Sequence, residues 1–242
     1  MTDPTTSGSS EQGWWGEPAR PRRYCVVIPA FNAAQSLGPL IERIKAHRLD
    51  VIVVDDGSQD RTPSVAAAAG ALVISHLRNA GKGRALRTGF DYACRAGYDG
   101  VITMDSDGQH DPAEIPIFIR TAEHTEAAIV LGNRMTDGAV MPPARRLTNA
   151  LMSDIVSAVA RQPIPDSQCG YRFIRREALE EITLRAMRYE IETELVLKAA
   201  ARRWTIVSIP IRSIYDNHQS YIKPLREGIR FVGMVFHHMV FR

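Results

Sequence analysis

Short apolar runs alternate with segments of helical periodicity through residues 24–131, and this alternation constrains the fold more than any other feature. Continuous β-branched runs are typical of strands that are buried on both faces of a sheet. The runs are Tyr24–Ile28, Val51–Val54, Ala71–Ile74, Val101–Met104 and Ala127–Leu131. Because helices separate the runs, the sequence predicts an α/β fold with a mostly parallel central sheet flanked by helices.

The remaining elements fit the same domain. Helical spacing of apolar residues predicts helices at Leu37–His47, Thr62–Ala69, Lys82–Arg95, Arg145–Ala160 and Ile191–Ala201. Two more strands are predicted at Tyr171–Ile174 and Ile206–Ile211, and a final amphipathic helix at Lys223–Phe241. No linker interrupts the chain after residue 20, so residues 21–242 are expected to form a single domain behind a polar, disordered tail at 1–20.

Composition and cysteine usage indicate a cytoplasmic protein. Of the 242 residues, 45% are hydrophobic and 24% are charged, as in soluble globular proteins. No apolar run is long enough to cross a bilayer, and Met1–Gln12 lacks the apolar core of a secretory signal. The three cysteines, Cys25, Cys94 and Cys169, have no metal-binding spacing, which predicts reduced thiols.

Positive charge is concentrated at the C-terminal end. The whole chain has a net charge of +3, and the residues from Ala201 onward contribute +5. This excess indicates an anionic partner such as a phosphate or lipid headgroups, whereas no motif supports binding to nucleic acid. The predicted helix Lys223–Phe241 could lie on a membrane surface, pack on the domain or mediate dimerisation. The protein is therefore expected to be peripheral at the cytoplasmic face of a membrane, with a second copy or a membrane subunit as a further candidate partner.

Polar residues follow three of the predicted strands at the point where each strand ends. They are Asn32, Asp55-Asp56 and Asp105-Ser106-Asp107. Ligands bind to parallel sheets at the carboxyl ends of the strands, so these residues are expected to line one site. Residues two apart in a strand point the same way, which places the Asp105 and Asp107 carboxylates together. A Mg²⁺ or Mn²⁺ ion shared with substrate phosphates would stabilise them, although two solvated acids in a turn are the simpler alternative.

Two other motifs are individually ambiguous. Asp55-Asp56 could accept hydrogen bonds from a base or a ribose, or could cap a helix. Asn79–Ala85 opens a helix with glycines and Lys82, which suits a phosphate, but it is not a Walker loop and could be a plain turn.

Taken in order, four segments resemble family 2 glycosyltransferases. They are Val27–Asn32, Val54–Ser58, Asn79–Gly83 and Met104–His110. Within that family the chain is most similar to the dolichyl-phosphate mannose synthase and polyprenyl-phosphate sugar transferase branch, which Gly132–Arg134 and Asp166–Arg172 also fit. The resemblance covers about residues 23–230. One departure from the family pattern is that Ala33-Ala34-Gln35 stands where acidic residues usually follow the first turn.

The resemblance implies a nucleotide-binding fold of the glycosyltransferase A type and a set of site residues. Donor binding is implied for Pro29, Ala30, Asn32, Asp55, Asp56, Lys82, Asp105 and Ser106. Metal binding is implied for Asp105, Asp107 and Gln109, and contact with an acceptor phosphate for Arg134, Arg145 and Arg146. The catalytic residues would be Asp107, Arg134 and Asp166.

The resemblance further implies a metal-dependent, inverting transfer of a sugar from GDP-mannose or a UDP-sugar to a polyprenyl or dolichyl phosphate. A phosphate acceptor is already ionised and needs no base. A saccharide hydroxyl acceptor is the nearest alternative, and it would need a base, for which Asp166 is the first candidate, with Glu192 or Glu194 behind it. A sugar-1-phosphate nucleotidyltransferase and a non-catalytic nucleotide-binding module are the more distant alternatives.

Overall fold

The computed structural model describes residues 20–136, 141–212 and the single positions 214, 233 and 235. The strands are β1 Tyr24–Ala30, β2 Asp50–Asp55, β3 Leu72–Ser75, β4 Gly100–Thr103, β5 Ile129–Asn133, β6 Arg172–Arg175 and β7 Ile206–Pro210. The helices are α1 Ala34–Lys45, α2 Thr62–Ala68, α3 Lys82–Arg95, α4 Ile115–Thr125, α5 Pro143–Ala160, α6 Arg176–Glu181 and α7 Glu190–Ala201. A short 3₁₀ helix, Pro112–Glu114, precedes α4.

The strands form one sheet in the order β3-β2-β1-β4-β6-β5-β7. All neighbouring strands are parallel except β6, which runs antiparallel to both β4 and β5. The predicted α/β fold with a mostly parallel sheet is therefore confirmed. The chain first builds outward from β1 to β3 and then returns to place β4 on the other side of β1. This change of direction opens a crevice at the carboxyl ends of β1 and β4, where such sheets bind ligands.

Helices cover both faces of the sheet, and each face has its own apolar core. Buried residues of α3, α5, α6 and α7 share one core, and those of α1, α2 and α4 share the other. Gly89 lets α3 approach β1 closely, since a Cβ at that position would lie 2.4 Å from Cγ1 of Val27.

Two helices of the structure, α4 and α6, were not predicted from the sequence. Ile115, Phe118 and Ala122 bury one side of α4, but the run Ile115–Ile119 contains Pro116 and has the composition of a strand as much as of a helix. The six-residue α6 is too short to show a period.

The chain termini lie largely outside the described residues. The predicted tail at 1–20 falls there except for Arg20, and so does the predicted helix Lys223–Phe241 except for Gly233 and Val235, which are helical. Val235 is buried against the core that contains α5 and α7. None of the helices in the described ranges is long and apolar enough to cross a membrane.

Candidate active site

The turns after β1 and β2 are joined by hydrogen bonds at the carboxyl edge of the sheet. Asn32 has a φ of 50°, its backbone N–H donates to Oγ of Ser58 at 2.9 Å, and its Oδ1 accepts from the backbone N–H of Gln59 at 2.9 Å. Pro29 and Ala30 pair with Val54 and Asp55 in the parallel ladder. The residues implied for donor binding on β1 and β2 are thus held side by side, and the Asn32 amide is itself part of the scaffold.

Asp55 and Asp56 are both buried and both accept backbone hydrogen bonds. Oδ1 of Asp55 accepts from the N–H of Ser58 at 3.1 Å. The carboxylate of Asp56 accepts from the N–H groups of Ala80 and Gly81, the latter at 2.7 Å, and Nδ1 of His76 lies 2.8 Å from it. Asp56 therefore fixes the glycine-containing loop that leads into α3. The sequence left Asp55-Asp56 open between donor binding and helix capping, and it did not indicate that Asp56 holds the loop before α3.

The Asp105–His110 loop follows β4 and is closed by its own hydrogen bonds. The N–H of Gln109 donates to Oδ1 of Asp107 at 3.0 Å, and the N–H of Asp105 donates to Nδ1 of His110 at 3.1 Å. Oγ of Ser36 in α1 donates to the carbonyl of Ser106 at 2.6 Å, which ties the loop to the neighbouring helix. The loop therefore presents the side chains of Asp105, Asp107 and Gln109 from a fixed backbone.

Lys82, at the start of α3, joins this loop to α7. Its Nζ lies 2.5 Å from Oδ1 of Asp105 and 2.9 Å from Oε1 of Glu192. Burial alone would lower the pKa of Lys82, but the two carboxylates outweigh burial and raise that pKa above its usual range. Burial also opposes charge on Asp105, yet the Lys82 ammonium holds the pKa of the Asp105 carboxyl below its usual range. The site thus contains two carboxylates around one ammonium group.

His110 and Gly170 complete the surroundings of Asp105. Burial lowers the pKa of His110, and its Nδ1 is an acceptor, so the neutral ring is the form that fits. The ring stacks on Tyr171 with centroids 5.0 Å apart. A Cβ at Gly170 would lie 2.7 Å from Oδ2 of Asp105 and 2.9 Å from Oε1 of Glu192. The loop before β6 therefore packs directly against the carboxylates of Asp105 and Glu192.

Arg134 and Asp166 form a buried ion pair beside this cluster. Nε of Arg134 donates to Oδ2 of Asp166 at 2.8 Å, Nη2 donates to Oδ1 at 3.0 Å, and the backbone N–H of Arg134 also donates to Oδ2 at 3.1 Å. The Asp166 side chain is 0% exposed. Arg146 near the start of α5 donates from Nη2 to the carbonyl of Met135, which follows Arg134, and Arg145 is its neighbour on that helix.

This geometry disagrees with the interpretation of Asp166 as a base for a hydroxyl acceptor. Both oxygens of its carboxylate are engaged by Arg134, and no part of the side chain reaches solvent. The structure favours Asp166 as the residue that orients Arg134. Glu194, a further candidate base, has other partners: its carboxylate accepts from the N–H groups of Arg185 and Ala186 and pairs with Lys198 at 2.6 Å.

Oxygen ligands for a hard cation are available only in part from the protein. Asp105, Asp107 and Gln109 supply carboxylate and amide oxygens from one loop. Within residues 20–136, 141–212 and the three isolated positions, no group of three His, Cys, Asp or Glu side chains could hold a metal ion. Two carboxylates and one amide are oxygen donors that suit a hard cation with further ligands from outside the protein.

Comparison with known proteins defines the class. The family model described as glycosyl transferase family 2 matches residues 25–183, so the chain belongs to this family of glycosyltransferases. The polyprenol monophosphomannose synthase of Mycolicibacterium smegmatis is 31% identical over 84% of this chain and 83% of its own length. A UDP-N-acetylglucosamine–dolichyl-phosphate N-acetylglucosaminyltransferase of Methanococcus voltae is 29% identical over 80% of this chain and 86% of its own length.

A solved structure shares the fold. Glucosyl-3-phosphoglycerate synthase from Mycobacterium tuberculosis, in complex with UDP, superposes with a TM-score of 0.73 at 22% identity. The match covers 90% of this chain and 80% of that one. Another structure of that enzyme contains Mn²⁺, UDP and glucosyl-3-phosphoglycerate. The glycosyltransferase A type fold implied by the sequence is thereby confirmed.

Proposed function

We propose that this glycosyltransferase moves a sugar from a nucleotide-sugar to a polyprenyl phosphate. The main observation is the pairing of two clusters at one sheet edge: the Asp105 loop with Lys82 and Glu192, and the buried Arg134–Asp166 pair. The first cluster suits a diphosphate donor and the second an anionic acceptor. Two relatives support this choice of acceptor, one named as a polyprenol monophosphomannose synthase and one as a dolichyl-phosphate N-acetylglucosaminyltransferase.

On the donor side, Asp55, Pro29, Ala30, Asn32 and Ser106 would surround the nucleotide. Asp105, Asp107 and Gln109 would hold a Mg²⁺ or Mn²⁺ ion, which supplies charge stabilisation to the leaving diphosphate. Lys82 would lie beside the same phosphates, because its ammonium group already contacts Asp105. The Mn²⁺ in the related solved structure supports a divalent cation.

On the acceptor side, Arg134 would bind and orient the phosphate, with Arg145 and Arg146 next to it. Arginine suits this role because its planar guanidinium can donate to two anions at once. Asp166 accepts from Nε and Nη2, and the edge formed by Nη1 and Nη2 is the one that would face phosphate oxygens. Asp166 fixes the orientation of that guanidinium before the acceptor arrives. An ionised phosphate can attack the sugar without a base, which agrees with the full burial of the Asp166 carboxylate.

A lipid-linked acceptor would require the protein to work at a membrane surface. We propose a peripheral association at the cytoplasmic face, with the basic and apolar sequence after residue 213 as the contact. A second copy of the chain or a membrane subunit is proposed as a further partner.

A donor screen tests the proposed reaction. The purified protein is incubated with Mn²⁺, a short polyprenyl phosphate and, in turn, GDP-mannose and several UDP-sugars, and glycolipid is detected by mass spectrometry. One donor is expected to give a product of polyprenyl phosphate plus one hexose unit. Parallel reactions contain a free saccharide as the acceptor. Transfer to the saccharide but never to the polyprenyl phosphate would contradict the proposal.

Gly170→Ala is expected to weaken binding of Mn²⁺ and nucleoside diphosphate by about tenfold, because overpacking costs about 1–3 kcal/mol and here displaces Asp105, one of the proposed metal ligands. The added methyl group would press on Asp105 and Glu192. Isothermal titration calorimetry measures the change. Gly38→Ala is the matched control, since its Cβ would lie in ordinary contact, 3.4 Å from Val65, away from the site. Equal affinities in the two variants would show that Gly170 does not shape the site.

A further inference from the structure

Arg172 opens β6 and is among the largest fully buried side chains of the described chain, at 1% exposed. It is the last residue of the Asp166–Arg172 motif. Neither the sequence analysis nor the proposed reaction gives this arginine a role. Its guanidinium donates from Nε to the carbonyl of Cys169 at 2.7 Å, from Nη2 to that of Ser167 at 2.8 Å, and from Nη1 to that of Glu192 at 2.5 Å.

This set of partners is unusual for a buried cation. Removing a guanidinium from water is costly, and an adjacent carboxylate is the common compensation. Arg172 instead donates to three backbone carbonyls, two in the loop before β6 and one in the first turn of α7. The rigid fork of arginine can reach three acceptors in fixed directions, whereas the single ammonium group of lysine cannot.

Each of the three carbonyls belongs to a residue that is part of the candidate site or is next to one in the chain. Ser167 follows Asp166, which orients Arg134. Cys169 precedes Gly170, which lies against Asp105 and Glu192. Glu192 itself binds Lys82 through its carboxylate while its carbonyl binds Arg172. The guanidinium thus connects the backbone that carries both clusters.

We propose that Arg172 is a positioning residue that sets the relative placement of the Lys82–Glu192 pair and the Arg134–Asp166 pair. The terms donor side and acceptor side rest on the proposed function, but the backbone linkage does not. Loss of the fork would release the 167–170 loop from α7 and loosen both clusters together.

Arg172→Lys tests this linkage, with Arg175→Lys as the matched control. Arg175 lies on the same strand and also donates to two carbonyls, those of Ala127 and Ala122, but it lies at the other end of β6. Both variants are expected to lower Tm, because each loses charged hydrogen bonds to the backbone. Only Arg172→Lys is expected to raise KM for both donor and acceptor, each by about tenfold, which matches the loss of one such bond.

Hydrogen exchange gives a readout that does not need transfer. Amides at 167–171 and 190–194 are expected to exchange faster in Arg172→Lys and to stay unchanged in Arg175→Lys. Should the wild type transfer no sugar, the proposed function fails while this measurement still decides the linkage. Unchanged exchange in both segments, or equal changes of KM in the two variants, would overturn the role of Arg172. If Arg172→Lys does not fold, Arg172→Gln and Arg175→Gln provide the same comparison without a buried charge.

Discussion

Asp105→Asn is expected to reduce kcat/KM by more than about 100-fold, because losing a ligand carboxylate removes much of the several kcal/mol that a bound cation supplies to the leaving diphosphate. The change also removes one of the two charges that neutralise Lys82, so Lys82 would move toward Glu192. Steady-state rates at saturating Mn²⁺, with Mn²⁺ affinity measured by calorimetry, record both effects.

Asp99→Asn is the control for Asp105→Asn. Asp99 lies directly before β4, at the end of the strand opposite to Asp105, and its carboxylate pairs with Arg20. This variant is expected to keep both the rate and the Mn²⁺ affinity of the wild type. An Asp105→Asn protein that binds Mn²⁺ and transfers sugar as the wild type does would contradict the assignment of the Asp105 loop.

Asp166→Asn is expected to lower the free energy of unfolding by about 3–5 kcal/mol, because the buried Arg134 guanidinium loses the carboxylate that neutralises it. The acceptor KM is expected to rise in the same variant, since Arg134 loses its fixed orientation. Urea unfolding and steady-state kinetics measure the two effects. Adding Arg134→Met to Asp166→Asn should restore part of the stability but none of the activity.

Glu180→Gln is the control for Asp166→Asn. Glu180 pairs with Arg176 across one turn at an exposed position, so its loss should leave the free energy of unfolding nearly unchanged. If Asp166 acted as a general base, the variant would show the opposite pattern. Asp166→Asn would then fold with wild-type stability and lose only transfer to hydroxyl acceptors.

The sequence predicted the parts of this molecule in which neighbouring residues carry the signal. Strands such as Val51–Val54 are continuous apolar runs. The acidic residues directly after these strands must lie at the carboxyl edge of the sheet. The placement of Asp55, Asp105 and Asn32 at one edge followed directly from the parallel arrangement.

Contacts between distant segments carried no such signal. Lys82 and Glu192 are 110 residues apart, and nothing in either segment indicates that they meet. Arg172 donates to backbone carbonyls, and since every residue has one, the sequence does not indicate which of them Arg172 contacts. The direction of β6 was also hidden, since Phe173-Ile174 is equally apolar in a parallel or an antiparallel strand. Asp166 was the first candidate base for a hydroxyl acceptor, and its motif does not show that Arg134 encloses its carboxylate.

The reversed direction of β6 has a consequence for engineering this protein. Arg172 at the start of β6 pairs with Thr103 at the end of β4, so the loop before β6 emerges beside the carboxyl end of its neighbour. A chimera that exchanged only the C-terminal part of this chain, in order to import another enzyme's choice of acceptor, would also exchange Gly170, Arg172 and Glu192. Such a hybrid would need compensating changes around Lys82 and Asp105, because those residues contact the exchanged Gly170 and Glu192. The crossover point would therefore have to keep the two sides of this contact from the same parent.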